Sequence, residues 1–260
     1  ELRPMPRGVL APLFWLWRQQ RPAVWVEADG KRLLYFSIAE AFAEAPSGAT
    51  VRLESGRYVL SEQLIFDKSL RLAGATDGET IIELRSSRGD ALLIDTDGSV
   101  ILSHLKFEYV GDGELQSLLH APRGRLTAHG CGFIGSVVGK GSRVKAGVLI
   151  RQQTIGDFSA CEFRHNQVGL ALIQNSSGAV VNCTIQQNSS NGLMVRDAAN
   201  FRIEASRLSG NGHGIFCSSS MKTVVFNCEL WKNVVGIKVS DGIATISDNS
   251  VRENGKEGIS

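Results

Sequence analysis

Apolar residues in the C-terminal half of the chain do not fall at helical spacing; they return in short alternating runs about every 22 residues. One apolar column holds Phe158, Val180, Ile203, Val225 and Ile246, and a second holds Phe163, Ile185, Leu208, Leu230 and Val251. Between them runs a column of small or amide side chains, Cys161, Cys183, Ser206, Cys228 and Asn249. Asn166, Asn188, Asn211, Asn233 and Asn254 follow, then Gly169, Gly192, Gly214, Gly236 and Gly258. Columns that keep step at a period of about 20 to 50 residues denote stacked supersecondary units.

Runs such as Gly192–Val195 and Gly236–Val239 alternate with the two-residue period of a strand. Gly, Asn, Ser and Asp separate these runs and tolerate left-handed or tight-turn backbone. Short strands joined by such bends predict an all-β chain wound as a right-handed parallel β-helix, with coils of about 22 residues spaced about 4.8 Å apart. The Asn column is then expected to stack as an internal ladder of amides bonded to one another and to the bend backbone. A leucine-rich repeat would need a Leu-rich consensus with helical segments, and columns of Phe, Ile, Val and Cys argue against it.

Upstream the repeat is stretched. Phe107, Phe133 and Phe163 align with the second apolar column and Leu105, Cys131 and Cys161 with the small one, so insertions are expected near Gly111 to Gln116 and Gly135 to Lys145. Insertions of this kind gather on one face of a solenoid, often the binding face. At Ser37, with Glu40 three residues on, a capping box predicts a short helix whose small and apolar face is Ala39, Ala41, Phe42 and Ala45. That helix is placed to cover the first coil, whose strand edges would otherwise be open. The division expected is therefore an N-terminal extension over 1–35 and a β-helix domain over 36–260, read as a piece of a longer polypeptide.

The opening stretch Ser37, Ile38, Glu40, Ala41, Ala45, Pro46, Gly48 to Leu53, Gly56 and Tyr58 resembles the first turn of pectin-lyase-like β-helix proteins. With the Asn and Gly repeats, the chain is similar to the domain shared by carbohydrate-binding proteins and sugar hydrolases. The resemblance spans roughly Phe36 to Ser260 and implies the fold far more than an activity.

A net charge of +2 supplies no electrostatic drive toward nucleic acid. Of the five cysteines, Cys131, Cys161, Cys183 and Cys228 lie in the inward small-residue column, and no CxxC or Cys/His pair occurs. They read as reduced core residues, neither disulfides nor metal ligands, which points to the cytoplasm, with a secreted or periplasmic location as the alternative. The apolar stretch Gly8 to Trp17 is too short for a membrane span and lacks a following cleavage site, so it is expected to pack on a domain.

Enzymes of the resembled fold place their chemistry in acidic groups: a calcium cluster in lyases, convergent carboxylates in glycosidases. The regular coils show neither, and no metal or other cofactor is expected. Gly212-His213-Gly214 matches one glycosidase motif, but Glu204 follows Arg202-Ile203 and no paired acids accompany it. No catalytic set is therefore assigned. His213 stands as a candidate beside Asp197 and Asp241, which occupy equivalent bends two coils apart, and turn chemistry explains all three equally.

A binding surface has a more positive signature. After each repeat Gly the first and third residues should point inward and the second outward. The outward column reads Leu149, Ala171, Met194, Phe216 and Lys238, mostly apolar where a polar face is expected. A contiguous exposed apolar stripe marks a contact with another chain, a ligand or another part of the same polypeptide. The function expected is a non-catalytic recognition or scaffold module that binds a protein partner, a neighbouring domain or a glycan. A polysaccharide lyase or glycoside hydrolase is the alternative.

Overall fold

A computed structural model describes residues 23–86, 88–135, 145–197 and 200–260. The segment 8–17 lies outside the described residues, as does nearly all of the second expected insertion. Three runs of parallel strands wind into one right-handed solenoid. The first run includes Arg88–Ile94, Glu114–Ala121, Ala146–Ile150, Val168–Ile173 and Asn191–Arg196. The second includes Ser99–Ser103, Arg125–His129, Ile155–Ser159, Ser177–Val181 and Asn200–Glu204. The third is a nine-stranded sheet from Gly56–Leu60 to Ser250–Arg252. In the last coils the first two runs merge, because His213–Phe226 and Val235–Ser247 pass from one to the other without a break.

Register is set by what each column buries. Phe133, Phe163, Ile185, Leu208, Leu230 and Val251 pair residue for residue along the third sheet. Phe158, Val180, Ile203, Val225 and Ile246 do so along the second. The large rings collect in the middle coils, where Phe133 stacks on Phe107 at 5.5 Å and on Phe163 at 5.3 Å between ring centres. One slip of register would turn every inward residue out, so these apolar columns fix the stacking.

The buried Asn residues form the expected ladder. The amides of Asn188 and Asn211 each donate to the side-chain oxygen of the next ladder residue, at 2.9 and 3.0 Å, and each backbone N–H does the same, at 3.0 and 2.9 Å. Each amide also donates to the backbone carbonyl of the apolar column one coil earlier, Asn188 to Phe163 and Asn211 to Ile185. The ladder explains the glycine column: a Cβ at Gly192 would lie 2.8 Å from the Gly214 carbonyl oxygen and 2.9 Å from the Asn211 amide nitrogen.

Two strands precede the capping helix at the N-terminal end. Val24–Ala28 and Lys31–Tyr35 form an antiparallel hairpin, and the first of these strands pairs with Thr50–Leu53 of the first coil. Val24, Val26 and Tyr35 sit in the main core, packed with the first coil. Asp29 and Gly30, both at positive φ, make the two-residue turn that matches strand twist. The helix spans Ile38–Glu44; Ser37 Oγ accepts from the Glu40 N–H at 3.1 Å, and the helix buries Ile38, Ala41 and Phe42. The insertion near Gly111 is absorbed within the stack: pairing shifts between Leu115 and Ser117, leaving Gln116 as a bulge.

Candidate functional site

The outer face of the first strand run carries two parallel columns. His120, Leu149, Ala171, Met194, Phe216 and Lys238 are aligned coil on coil. Beside them run Asp90, Ser117, Ala146, Val168, Asn191, His213 and Val235. Inward neighbours Leu170, Leu172, Leu193, Val195, Ile215 and Cys217 belong to the main core, whereas Leu149 and Ala171 belong to a separate cluster outside it.

The expected stripe is exposed over only part of its length. Leu149 and Ala171 face away from the coil interior but are 5 % and 0 % exposed. The reason is lateral packing: Ala146, Val168 and Ile173 join them in one apolar cluster, with Met194 against its edge, and the small Ala171 is closed over by larger neighbours. The accessible part of the column is Met194, Phe216 and Lys238, all half-buried.

Around Phe216 the face becomes polar. His213 Nδ1 lies 2.8 Å from Asn191 Oδ1, so the Nδ1–H tautomer donates there and leaves Nε2 as an acceptor. The imidazole is 5.7 Å from the Phe216 ring. Desolvation and then the nearby Lys238 ammonium lower the His213 pKa below its ordinary value, which keeps the ring neutral at pH 7. Because the unfolded chain takes up this proton at higher pH than the fold does, His213 stability is present above about pH 6.5 and lost as pH falls below it. The expected result is that His213→Gln flattens the fall of the thermal midpoint between about pH 6.5 and 5, measured by circular dichroism.

A second polar group, not singled out by the sequence pattern, occupies the same columns farther toward the N-terminus. Asp90 accepts from Ser117 Oγ through one carboxylate oxygen and meets His120 Nδ1 at 2.9 Å through the other. Ser117 is fully buried, and His120 Nε2 is buried without a hydrogen-bond partner among the described residues. A buried imidazole nitrogen left open asks for an explanation. The only signal for this group in the sequence is register, because His120 lies one coil before Leu149 in the column and the bulge at Gln116 disguises that alignment.

Asp197 and Asp241 sit at left-handed bends, φ 52° and 49°, on the margin of this face. Both are exposed, and Asp197 lies 3.8 Å from Arg196. The structure brings neither into the His213 and Asn191 pair.

A family model described as a right-handed beta helix region matches residues 127–260. The chain belongs to this family. Among solved structures, the A-module of the mannuronan C-5 epimerase AlgE6 from Azotobacter vinelandii is similar at 16 % identity, with a TM-score of 0.70 over 85 % of this chain and 66 % of that one. ORF18 of Geobacillus virus E2 is similar at 11 % identity, with a TM-score of 0.61 over 85 % of this chain and 55 % of that one. A pectin methylesterase bound to a hexasaccharide is similar at 11 % identity, with a TM-score of 0.51 over 86 % of this chain and 88 % of that one. The chain thus spans just under two thirds of the epimerase module and about half of the viral protein. No curated protein sequence matches it. At these identities the shared property is the fold.

Proposed function

We propose that the right-handed β-helix is a non-catalytic recognition module whose outer first face binds an extended anionic glycan. The observation that carries this reading is the cluster of Asn191, His213, Phe216 and Lys238 on three adjacent coils. There a neutral imidazole acceptor oriented by the buried Asn191 amide, an aromatic ring and a cation lie on neighbouring strands. Such a set can hold hydroxyls, an apolar sugar face and a carboxylate together, and Arg196 lies at its margin. The epimerase module, named for mannuronan, supports the choice of an anionic polymer.

Isothermal titration with oligomannuronate should show binding that Phe216→Asp weakens at least tenfold, while the circular dichroism spectrum and melting midpoint stay close to the parent. A neutral oligosaccharide of equal length should bind far more weakly. Equal affinity of parent and Phe216→Asp for oligomannuronate would reject the assignment of this face.

Asp90, Ser117 and His120 favour a second reading, a carbohydrate-active enzyme, because a carboxylate-oriented imidazole is an arrangement used in proton transfer. Under that reading oligomannuronate is converted on incubation and His120→Asn abolishes the conversion. Under the first it is recovered unchanged.

A further inference from the structure

Beside the capping helix lies a groove of about 560 Å³, lined by Phe36, Ile38, Tyr58, Val59, Glu62 and Leu64, among others. One wall is the start of the helix, and the other is the strand Gly56–Leu60 with the bend that follows it. That strand ends the third sheet, and among the described residues it pairs on one side only, with Thr80–Leu84. Gly56 N–H and Leu60 C=O bond toward this neighbour, so the intervening backbone groups of Arg57 and Val59 point to the open edge. Apolar side chains border the same edge. Val59 is 50 % exposed, and Ile65, next to Leu64, is 45 % exposed. Both stand outward on strands whose inward residues Tyr58, Leu60, Leu64 and Phe66 belong to the core. A bare strand edge beside apolar side chains is a surface that proteins cover.

The chain itself enters the fold at this groove. The Tyr58 hydroxyl donates to the Ala23 carbonyl at 2.9 Å, and the Ala23 N–H donates to Glu54 Oε2 at 3.2 Å. Val24 pairs with Tyr35, which sets Ala23 beside Phe36. Two residues that line the groove therefore flank the point from which residues 1–22 lead away. Trp17 closes the apolar stretch 8–17, and the six steps of chain from there to Ala23 span at most about 21 Å. The groove is within reach of that tether.

We propose that this groove is the docking site of the chain's own apolar stretch, residues 8–17, which covers the open edge of Gly56–Leu60 and completes the cap begun by the helix. A tether this short gives the stretch an effective concentration of order millimolar at the groove, an advantage that no separate partner has. Phe14, Trp15 and Trp17 each carry about 150 to 250 Å² to be taken out of water. Charge agrees in sign: Arg18 and Arg21 follow the stretch, and the exposed Glu62 lies in the wall.

The test uses the whole chain with benzoylphenylalanine in place of Trp15. On irradiation it should link within one chain to residues 36–39 or 57–65, read by mass spectrometry of the monomer. Links to a second chain, to another face, or to lipid when phosphatidylglycerol vesicles are present would overturn the site, as would the absence of any link. Cleavage by trypsin after Arg18 gives a second reading. It should be slow in the parent and at least tenfold faster in Val59→Asp, whose outward position leaves the circular dichroism spectrum unchanged. Val181→Asp, at an outward valine of the second run, should be cleaved as the parent is. Cleavage of Val59→Asp no faster than the parent would equally overturn the site, and the crosslink needs no change in the groove.

Discussion

Asn211→Leu is expected to destabilise the fold by about 1 to 3 kcal/mol, read as a reduced urea midpoint at unchanged slope. The substitution is close to isosteric, so the loss comes from hydrogen bonds. Asn211 Oδ1 accepts from the Asn188 backbone at 3.0 Å and from the Asn188 amide at 2.9 Å. Its own amide donates to the Ile185 carbonyl at 3.1 Å and to Asn233 Oδ1 at 3.0 Å. Leucine leaves the Asn188 N–H buried with no acceptor, and an orphaned buried group costs about 1 to 3 kcal/mol. The same change at Asn254, at the edge of the ladder and only part-buried, should cost much less. A midpoint for Asn211→Leu equal to the parent's would show that the amides do not hold the coils together.

Phe133→Ala is expected to cost about 3 to 5 kcal/mol, the range for emptying a large aromatic from a core that cannot collapse. Phe133 is fully buried between the rings of Phe107 and Phe163, and its edge meets Phe158 at 6.5 Å. Backbone pairing on both sides, to Lys106–Glu108 and to Glu162–Arg164, keeps the neighbouring coils from closing the gap. Val251→Ala, in the last complete coil and part-exposed, serves as the comparison and should cost well under half as much. Differential calorimetry of the two variants checks the order.

These effects rest on columns that are legible in the sequence because each coil repeats one chemical demand. Asn211 must bond its neighbours in the ladder, so Asn recurs; Gly192 must leave room for that ladder, so Gly recurs. The alternation after the glycine is legible for the same reason, and Leu193 and Val195 lie inward with Met194 outside the main core. Exposure is less legible. Ala171 is outward in register yet fully buried, because burial depends on Val168 and Ile173 beside it and not on its own period. The N-terminal hairpin is written in the alternation of Val24–Ala28 and the Asp29-Gly30 turn, but it pairs antiparallel and so falls outside a search for repeats. Asp90, Ser117 and His120 are hidden for a different reason. Their proximity depends on strands about 27 residues apart stacked through a bulge, and no single segment contains two members of the group at a telling spacing.

Backbone amide shift mapping during titration with oligomannuronate reports which face of the β-helix the ligand touches without a substitution. The largest shifts are expected in Asn191–Arg196, residues 213–218 and residues 235–240, the three adjacent strands that carry Asn191, His213, Phe216 and Lys238. Shifts confined to the bend around His104 and Lys106, or saturating ligand with no shift in those three strands, would contradict recognition by this face.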